Sequence, residues 1–259
     1  MNIIQSLVIT LSMYTAVPVP MVRWSDGNLR YCLAFLPAAG LVIGGAEWML
    51  FFACSRLELS AVFFAAFFCA LPALITGKIH MDGLIDTCDA LGSHGTREKK
   101  LEILEDSHAG AFGIAGAILY VLLFAACAAE AYPYLTPVSA AAVCLSFAAS
   151  RALTAIQIVT MDLSKDRGLL FTFRRAASKK AVLLSAAAVQ ALCLAAETAV
   201  FSAAALFPAA AGLLFSLYFR RTAKKHFGGI SGDLCGWMIH MQELMFLLSF
   251  LPALRLASF

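Results

Sequence analysis

Charge is scarce in this chain: Lys and Arg number 19 and Asp and Glu 16 among 259 residues, or 14%, against roughly 25% in an ordinary soluble domain. With 61% hydrophobic residues and a mean hydropathy of +0.84, that scarcity excludes a soluble globular fold. CxxC pairs are missing as well. The eight cysteines, at 32, 54, 69, 88, 127, 144, 193 and 235, stand mostly inside apolar runs, so neither a disulfide framework nor a zinc site is expected. No Lys or Arg precedes the apolar core of residues 1–20 and no small-residue cleavage site follows it, so no removed signal peptide is expected. Internal repeats and low-complexity linkers are absent. The net charge of +3 is small, and no nucleic-acid partner is expected.

What is present is a series of apolar runs, each read as a bilayer crossing of about 20 residues. Residues 3–19 carry Ser6, Thr10, Ser12 and Thr15 and end in VPVP, which predicts an interfacial or re-entrant helix rather than a crossing. Crossings are predicted over 31–54, 60–75, 110–129 and 137–160. Gly40 and Gly44 in the first have the spacing for close helix packing inside the bundle. Phe63, Phe64, Phe67 and Phe68 in the second are expected to face lipid. Arg151 in the fourth either faces the bundle interior or snorkels to an interface. A single helix over 181–219 would reach roughly 58 Å, about twice the hydrocarbon core, so this run must cross twice, bending near Glu197 or Pro208. A last run ends near Leu254. The fold class is therefore all-α, a polytopic integral membrane helical bundle forming one domain over 1–259, with about seven transmembrane helices.

Loop charge sets the orientation. Residues 161–180 carry six basic side chains against two acidic ones, whereas 129–137 contain no Lys or Arg. The positive-inside bias then puts the loops near 76–109, 161–180 and 220–236 on the cytoplasmic side of the inner membrane and Tyr134 outside.

The polar segment 76–113 interrupts the apolar pattern most strongly. Asp82, Asp86 and Asp89 are spaced i, i+4, i+7 and share one face if the segment is helical. Three like charges on one face repel one another unless a cation offsets them. Glu102, Glu105 and Asp106 repeat the pattern at i, i+3, i+4, so two acidic clusters are expected to face each other. Carboxylates of this kind, with glycines beside them, suit Mg²⁺ held together with substrate phosphates. For Glu98 and Glu102, which lie among Arg97, Lys99 and Lys100, a solvated charge run is the expectation.

The stretches HMDGLIDTCDAL, LEILEDSHAGAFG and FGGISGDLCG, with QE a few residues on, resemble the motifs of the cobalamin synthase family, adenosylcobinamide-GDP ribazoletransferase. The likeness runs through most of the chain in order, including VPVP and the PxxGxxIGG that begins at Pro37. It implies a Mg²⁺-dependent membrane transferase in which a hydroxyl of α-ribazole, or of its 5′-phosphate, attacks the cobinamide-linked phosphorus of adenosylcobinamide-GDP and expels GMP. Position by position, it implies Asp82, Asp86, Asp89, Asp106 and Asp233 as metal ligands, Asp82 and His80 as catalytic, and Gly110, Gly113, Gly228, Gly229 and Gly232 as glycines near phosphate. Ser107 and Glu243 fall in the matching motifs and are further substrate-binding candidates. Lys78, Glu105 and His108 depart from the family pattern, which leaves that turn short of two basic contacts; Lys78 or the pair Arg174 and Arg175 would have to substitute. The implied partners are the two substrates and the lipid bilayer, with a homo-oligomer left open. The rival readings are a membrane isoprenoid transferase, a CDP-alcohol phosphotransferase and a cation transporter. The first two lack a second DxxxD and the required arginine, and a transporter would hold its acids at the bilayer midplane.

Overall fold

The computed structural model describes residues 2–257. Among them the regular structure is helical, apart from one isolated parallel bridge between Leu163 and Ile230. The first helix, α1 (Asn2–Tyr14), has 13 residues and so reaches about 20 Å, too short to cross. Its hydroxyls dock it on the following segment, α2 (Asp26–Leu29) and the short 3₁₀ turn Cys32–Phe35. Ser6 Oγ donates to the Asn28 carbonyl at 2.6 Å, and Thr10 Oγ1 lies 3.0 Å from the Cys32 carbonyl.

Next come α3 (Leu36–Arg56), α4 (Ala61–Ile75), α5 (Ile79–Gly92), α6 (Arg97–Ile103), α7 (Ala111–Ala131), α8 (Pro137–Cys144), α9 (Ser146–Thr160), α10 (Leu169–Ala176), α11 (Lys179–Phe201), α12 (Leu206–Phe227) and α13 (Gly232–Ala257). Gly40 and Gly44 serve internal packing, as the spacing predicts: a Cβ on either would come within 2.3 Å of a carbonyl oxygen, that of Phe147 or of Cys144. The phenylalanines of α4 divide. Phe63 and Phe67 are exposed, but Phe64 and Phe68 are buried, with Phe68 stacked on Phe124 of α7, so only half of the expected lipid-facing set faces outward. Arg151 is fully buried and pairs with Glu243 of α13 at 2.5 Å, which decides for the interior and against snorkelling.

By length and apolarity, five described stretches are able to cross a membrane, or six if α4 and α5 are taken as one bent span. One of the five, Lys179–Phe227, doubles back. In α11, Gln190 donates to the Ala149 carbonyl and Cys193 to the Leu145 carbonyl, so α11 is antiparallel to α9. In α12, Gly212 lies against Leu153 and Arg220 donates to Gln157 and Thr160, so α12 is parallel to α9. The reversal falls at Ser202, where φ is 54°, and not at Glu197 or Pro208.

The polar segments converge on one end of the bundle. The Ser178 N–H donates to the Arg30 carbonyl and the Ile230 N–H to that of Asp162, while Lys165 and Arg167 reach Glu105. The opposite end holds the Arg255–Glu130 pair and the Trp48 indole, which donates to the Pro137 carbonyl. The stretch 220–236, expected as a loop, is largely helical: α12 continues to Phe227 and α13 starts at Gly232. Basic residues in the last turn of α12 favour this extension by opposing the helix dipole.

Candidate active site

The chain leaves α4 through Gly77 (φ 59°) and Lys78 (φ 68°), and α5 departs at 98° to α4. Helix α5 therefore lies across the polar end of the bundle, packed on α13 and α7. Its helical register confirms the shared face of Asp82, Asp86 and Asp89. The burial is graded: Asp82 is exposed, Asp86 half-buried and Asp89 buried.

Glycine contacts bring the fourth acid in. A Cβ at Gly83 would lie 2.5 Å from the Asp233 carbonyl oxygen, and one at Gly236 would lie 2.7 Å from that of His80. The two helix backbones thus touch, and Asp233 in the first turn of α13 comes beside Asp82 and Asp86. Burial, then the charges of Asp82, Asp233, Asp89 and Asp106, push the Asp86 carboxyl up to about 7. Its environment is one in which negative charge is poorly offset.

Asp89 has a partner already. Its Oδ2 accepts the Gly110 N–H at the start of α7, where the helix dipole favours an anion. A Cβ at Gly110 or Gly113 would strike that carboxylate at 2.5 Å, so these glycines make room for Asp89.

The second acidic face does not form, because α6 ends at Ile103 before the pattern is complete. Glu102 pairs with Lys99 at 3.1 Å. Glu105 pairs with Lys165 at 2.9 Å and Arg167 at 3.0 Å, and hydrogen bonds from these two hold its carboxyl below the usual range. Asp106 accepts from the His108 ring and backbone, which lowers its carboxyl in the same way. Ser107 beside it is exposed. Within the basic loop 165–180, whose charge either anchors topology or also draws an anionic substrate, sequence reasoning singles out Arg174 and Arg175 and misses Lys165 and Arg167, which only the fold carries to the acidic end.

The remaining candidates lie elsewhere. His80 sits 200° around α5 from Asp82, buried, with its ring 6.1 Å from that of Tyr14 and both nitrogens unpartnered. Glu243 is buried deep in the bundle with Arg151 and with His240 at 3.3 Å. Gly229 lets the chain pass the Asp162 carbonyl, which a Cβ would meet at 2.4 Å, and Gly232 has open space around it. Gly228, with φ 72°, ends α12. Arg175 on α10 reaches Asp26 at 3.7 Å; Arg174 is half-buried on the same helix, and Lys78 is exposed. Beside the acids, a cavity of about 330 Å³ runs from Lys165, Arg167 and Asp233 inward to His80, Leu36 and Ile239.

Among the described residues, no three His, Cys, Asp or Glu side chains converge tightly enough to hold an ion unaided. Mg²⁺ does not demand that, since it keeps several waters and takes one or two carboxylates plus phosphate oxygens. The hard-oxygen set of Asp82, Asp86 and Asp233 fits such an ion: the other acids crowd Asp86, and Asp233 has Lys165 and the Ser231 hydroxyl beside it.

Comparison with known proteins bears on the same residues. The family model described as cobalamin-5-phosphate synthase matches residues 6–251. A protein of Lachnoclostridium phytofermentans named adenosylcobinamide-GDP ribazoletransferase is 35% identical over 245 residues, covering 95% of this chain and 92% of its own. Proteins with the same name from Bradyrhizobium diazoefficiens, 32% identical over 95% of this chain and 93% of that one, and Clostridium perfringens, 31% identical over 90% and 92%, are similar throughout. No solved structure matches. A match that spans the acidic helix α5, the turn at Asp106 and the α12–α13 junction in order leaves one conclusion: the chain belongs to the cobalamin-5-phosphate synthase family.

Proposed function

We propose that this protein is an adenosylcobinamide-GDP ribazoletransferase, acting at the polar end of the bundle. The carrying observation is the full-length match to relatives of that name, joined to the acids that α5 and α13 bring together around Asp86. In the transfer, a hydroxyl oxygen of α-ribazole, or of its 5′-phosphate, bonds to the phosphorus that carries cobinamide. The bond from that phosphorus to the oxygen bridging to GMP breaks, GMP leaves with the electron pair, and the hydroxyl proton passes to a base. Asp82, Asp86 and Asp233 would hold Mg²⁺, which when bound neutralises phosphate charge and polarises the phosphoryl group. Lys165 and Arg167 supply the positive charge that the turn at Glu105 and His108 lacks, attracting the anionic donor.

Reconstituted protein should release GMP from adenosylcobinamide-GDP and form the cobalamin product only with α-ribazole and Mg²⁺ both present. GMP release without α-ribazole, or no release with both, would sink the assignment.

The orientation is part of the same proposal: seven crossings, with the acidic end in the cytoplasm and the bundle in the inner membrane. Accessibility labelling of single cysteines placed at Glu98, Ser178 and Tyr134 should find the first two on one side and Tyr134 on the other. Labelling of Glu98 and Tyr134 from the same side would end the seven-crossing topology.

A further inference from the structure

We infer that the 330 Å³ cavity beside the acids is the seat of the acceptor nucleoside, with its flat aromatic base held inside against His80. The inference rests on the transferase reading and assigns that reaction a subsite. The cavity is two-sided. Its inner wall is mostly apolar, with Leu36, Ile158, Phe173 and Ile239, and its outer rim carries the charges of Lys165, Arg167 and Asp233 beside the exposed apolar Ile79 and Leu169. Its volume is at the small end of the roughly 300–1,000 Å³ typical of drug-sized ligand sites, so it takes a nucleoside and not a corrinoid.

His80 supplies the independent observation. It lines the cavity, is 4% exposed, and neither ring nitrogen has a partner. A buried polar ring without a partner is costly, and a ligand that completes its hydrogen bonds recovers that cost. The base of α-ribazole is a benzimidazole, whose one free ring nitrogen accepts a hydrogen bond; an imidazole N–H donates to it. Tyr14, stacked over His80, adds an aromatic wall for a planar ligand.

The orientation follows from the rim. Asp233 belongs both to the cavity and to the acid set, so a base placed inward turns the ribose outward, its hydroxyls toward Asp233. The acceptor then reaches the phosphorus from the cavity side while the bulky donor stays on the open face of α5. His80, which faces away from the acids, becomes a binding residue for the base.

The test uses full-length protein in liposomes, with α-ribazole and a second acceptor in which indole replaces benzimidazole, removing the accepting nitrogen. Ile158→Phe should raise the KM for α-ribazole about tenfold or more and leave the KM for adenosylcobinamide-GDP within about twofold. In the wild type the indole nucleoside should bind about tenfold more weakly than α-ribazole. In His80→Ala that ratio should collapse to about one, because the nitrogen has lost its donor. A merely structural His80 would leave the ratio unchanged, which would overturn the inference. So would equal KM changes for both substrates in Ile158→Phe. Where Ile158→Phe does not accumulate, the His80 cycle decides alone. If wild-type protein forms no product from the two substrates, the transferase reading itself fails; if it forms product and the cavity variants leave acceptor binding untouched, only the subsite fails.

Discussion

Two acidic stretches lie some 20 residues apart and look alike on paper, yet the fold treats them oppositely. In 82–89, Asp82 and Asp86 meet a further acid, Asp233, across a glycine contact, and Asp86 is pushed up to about 7. In 102–106, every acid has a partner of its own: Lys99 for Glu102, Lys165 and Arg167 for Glu105, and a hydrogen bond from the His108 ring for Asp106. Density of acidic residues is therefore a poor guide to a site. What separates the two stretches is whether the charge is answered within the protein or left for something that binds.

The sharpest way to break that comparison is to remove one charge from each stretch. Asp82→Asn should lower kcat at least about a hundredfold, the scale on which loss of one electrostatic contact to a transition state is felt, while accumulating normally in membranes. Asp106→Asn should stay within about threefold. Similar losses in the two variants, measured as GMP release, would show that the two stretches serve the reaction alike.

The glycine contact comes next. Gly83→Ala forces a methyl onto the Asp233 backbone, and overpacking of this kind costs about 1–3 kcal/mol; unfolding temperature and activity should fall together as α5 lifts from α13. Gly232→Ala, one residue from Asp233 but in open space, should change neither. An intact Gly83→Ala would mean that the helix contact does not hold the acids together.

A smaller effect is expected from pH. An aspartate titrates near 3.9 in the unfolded chain and Asp86 near 7 in the folded one, raised by burial and then by Asp82, Asp233, Asp89 and Asp106. The folded state thus binds the proton more tightly, and stability must fall as pH rises from about 4 to about 7. In chelator, the unfolding temperature of the detergent-solubilised wild type should drop over that window relative to Asp86→Asn, and Mg²⁺ should restore it above about pH 7. Parallel curves for the two proteins would show that Asp86 carries no such burden.

The smallest effect belongs to the paired stretch. Glu105→Gln releases Lys165 and Arg167 from an exposed ion pair, and such pairs contribute little to folding. Stability should be unchanged while the KM for adenosylcobinamide-GDP falls about twofold at low salt, an advantage that salt removes. A rise in KM would show that the pair serves the substrate better with Glu105 in place.

Residue order by itself determined the class, the helical runs and the face shared by Asp82, Asp86 and Asp89, because hydropathy and helical period are local properties that survive without tertiary contacts. It also placed Gly40 and Gly44 inside the bundle and made the run 181–219 double back, since a helix of that length exceeds any bilayer. Only the tertiary structure decided which charges stay unanswered. Lys165 comes to Glu105 across 60 residues of chain, and Asp233 to Asp82 across 151. Arg151 finds Glu243 in the bundle interior. His80 leaves the acids for the cavity because two residues along a helix turn a side chain to the far side. These pairings depend on where helix α5 turns and on which backbones glycine lets touch, and neither is written in any local window of the chain.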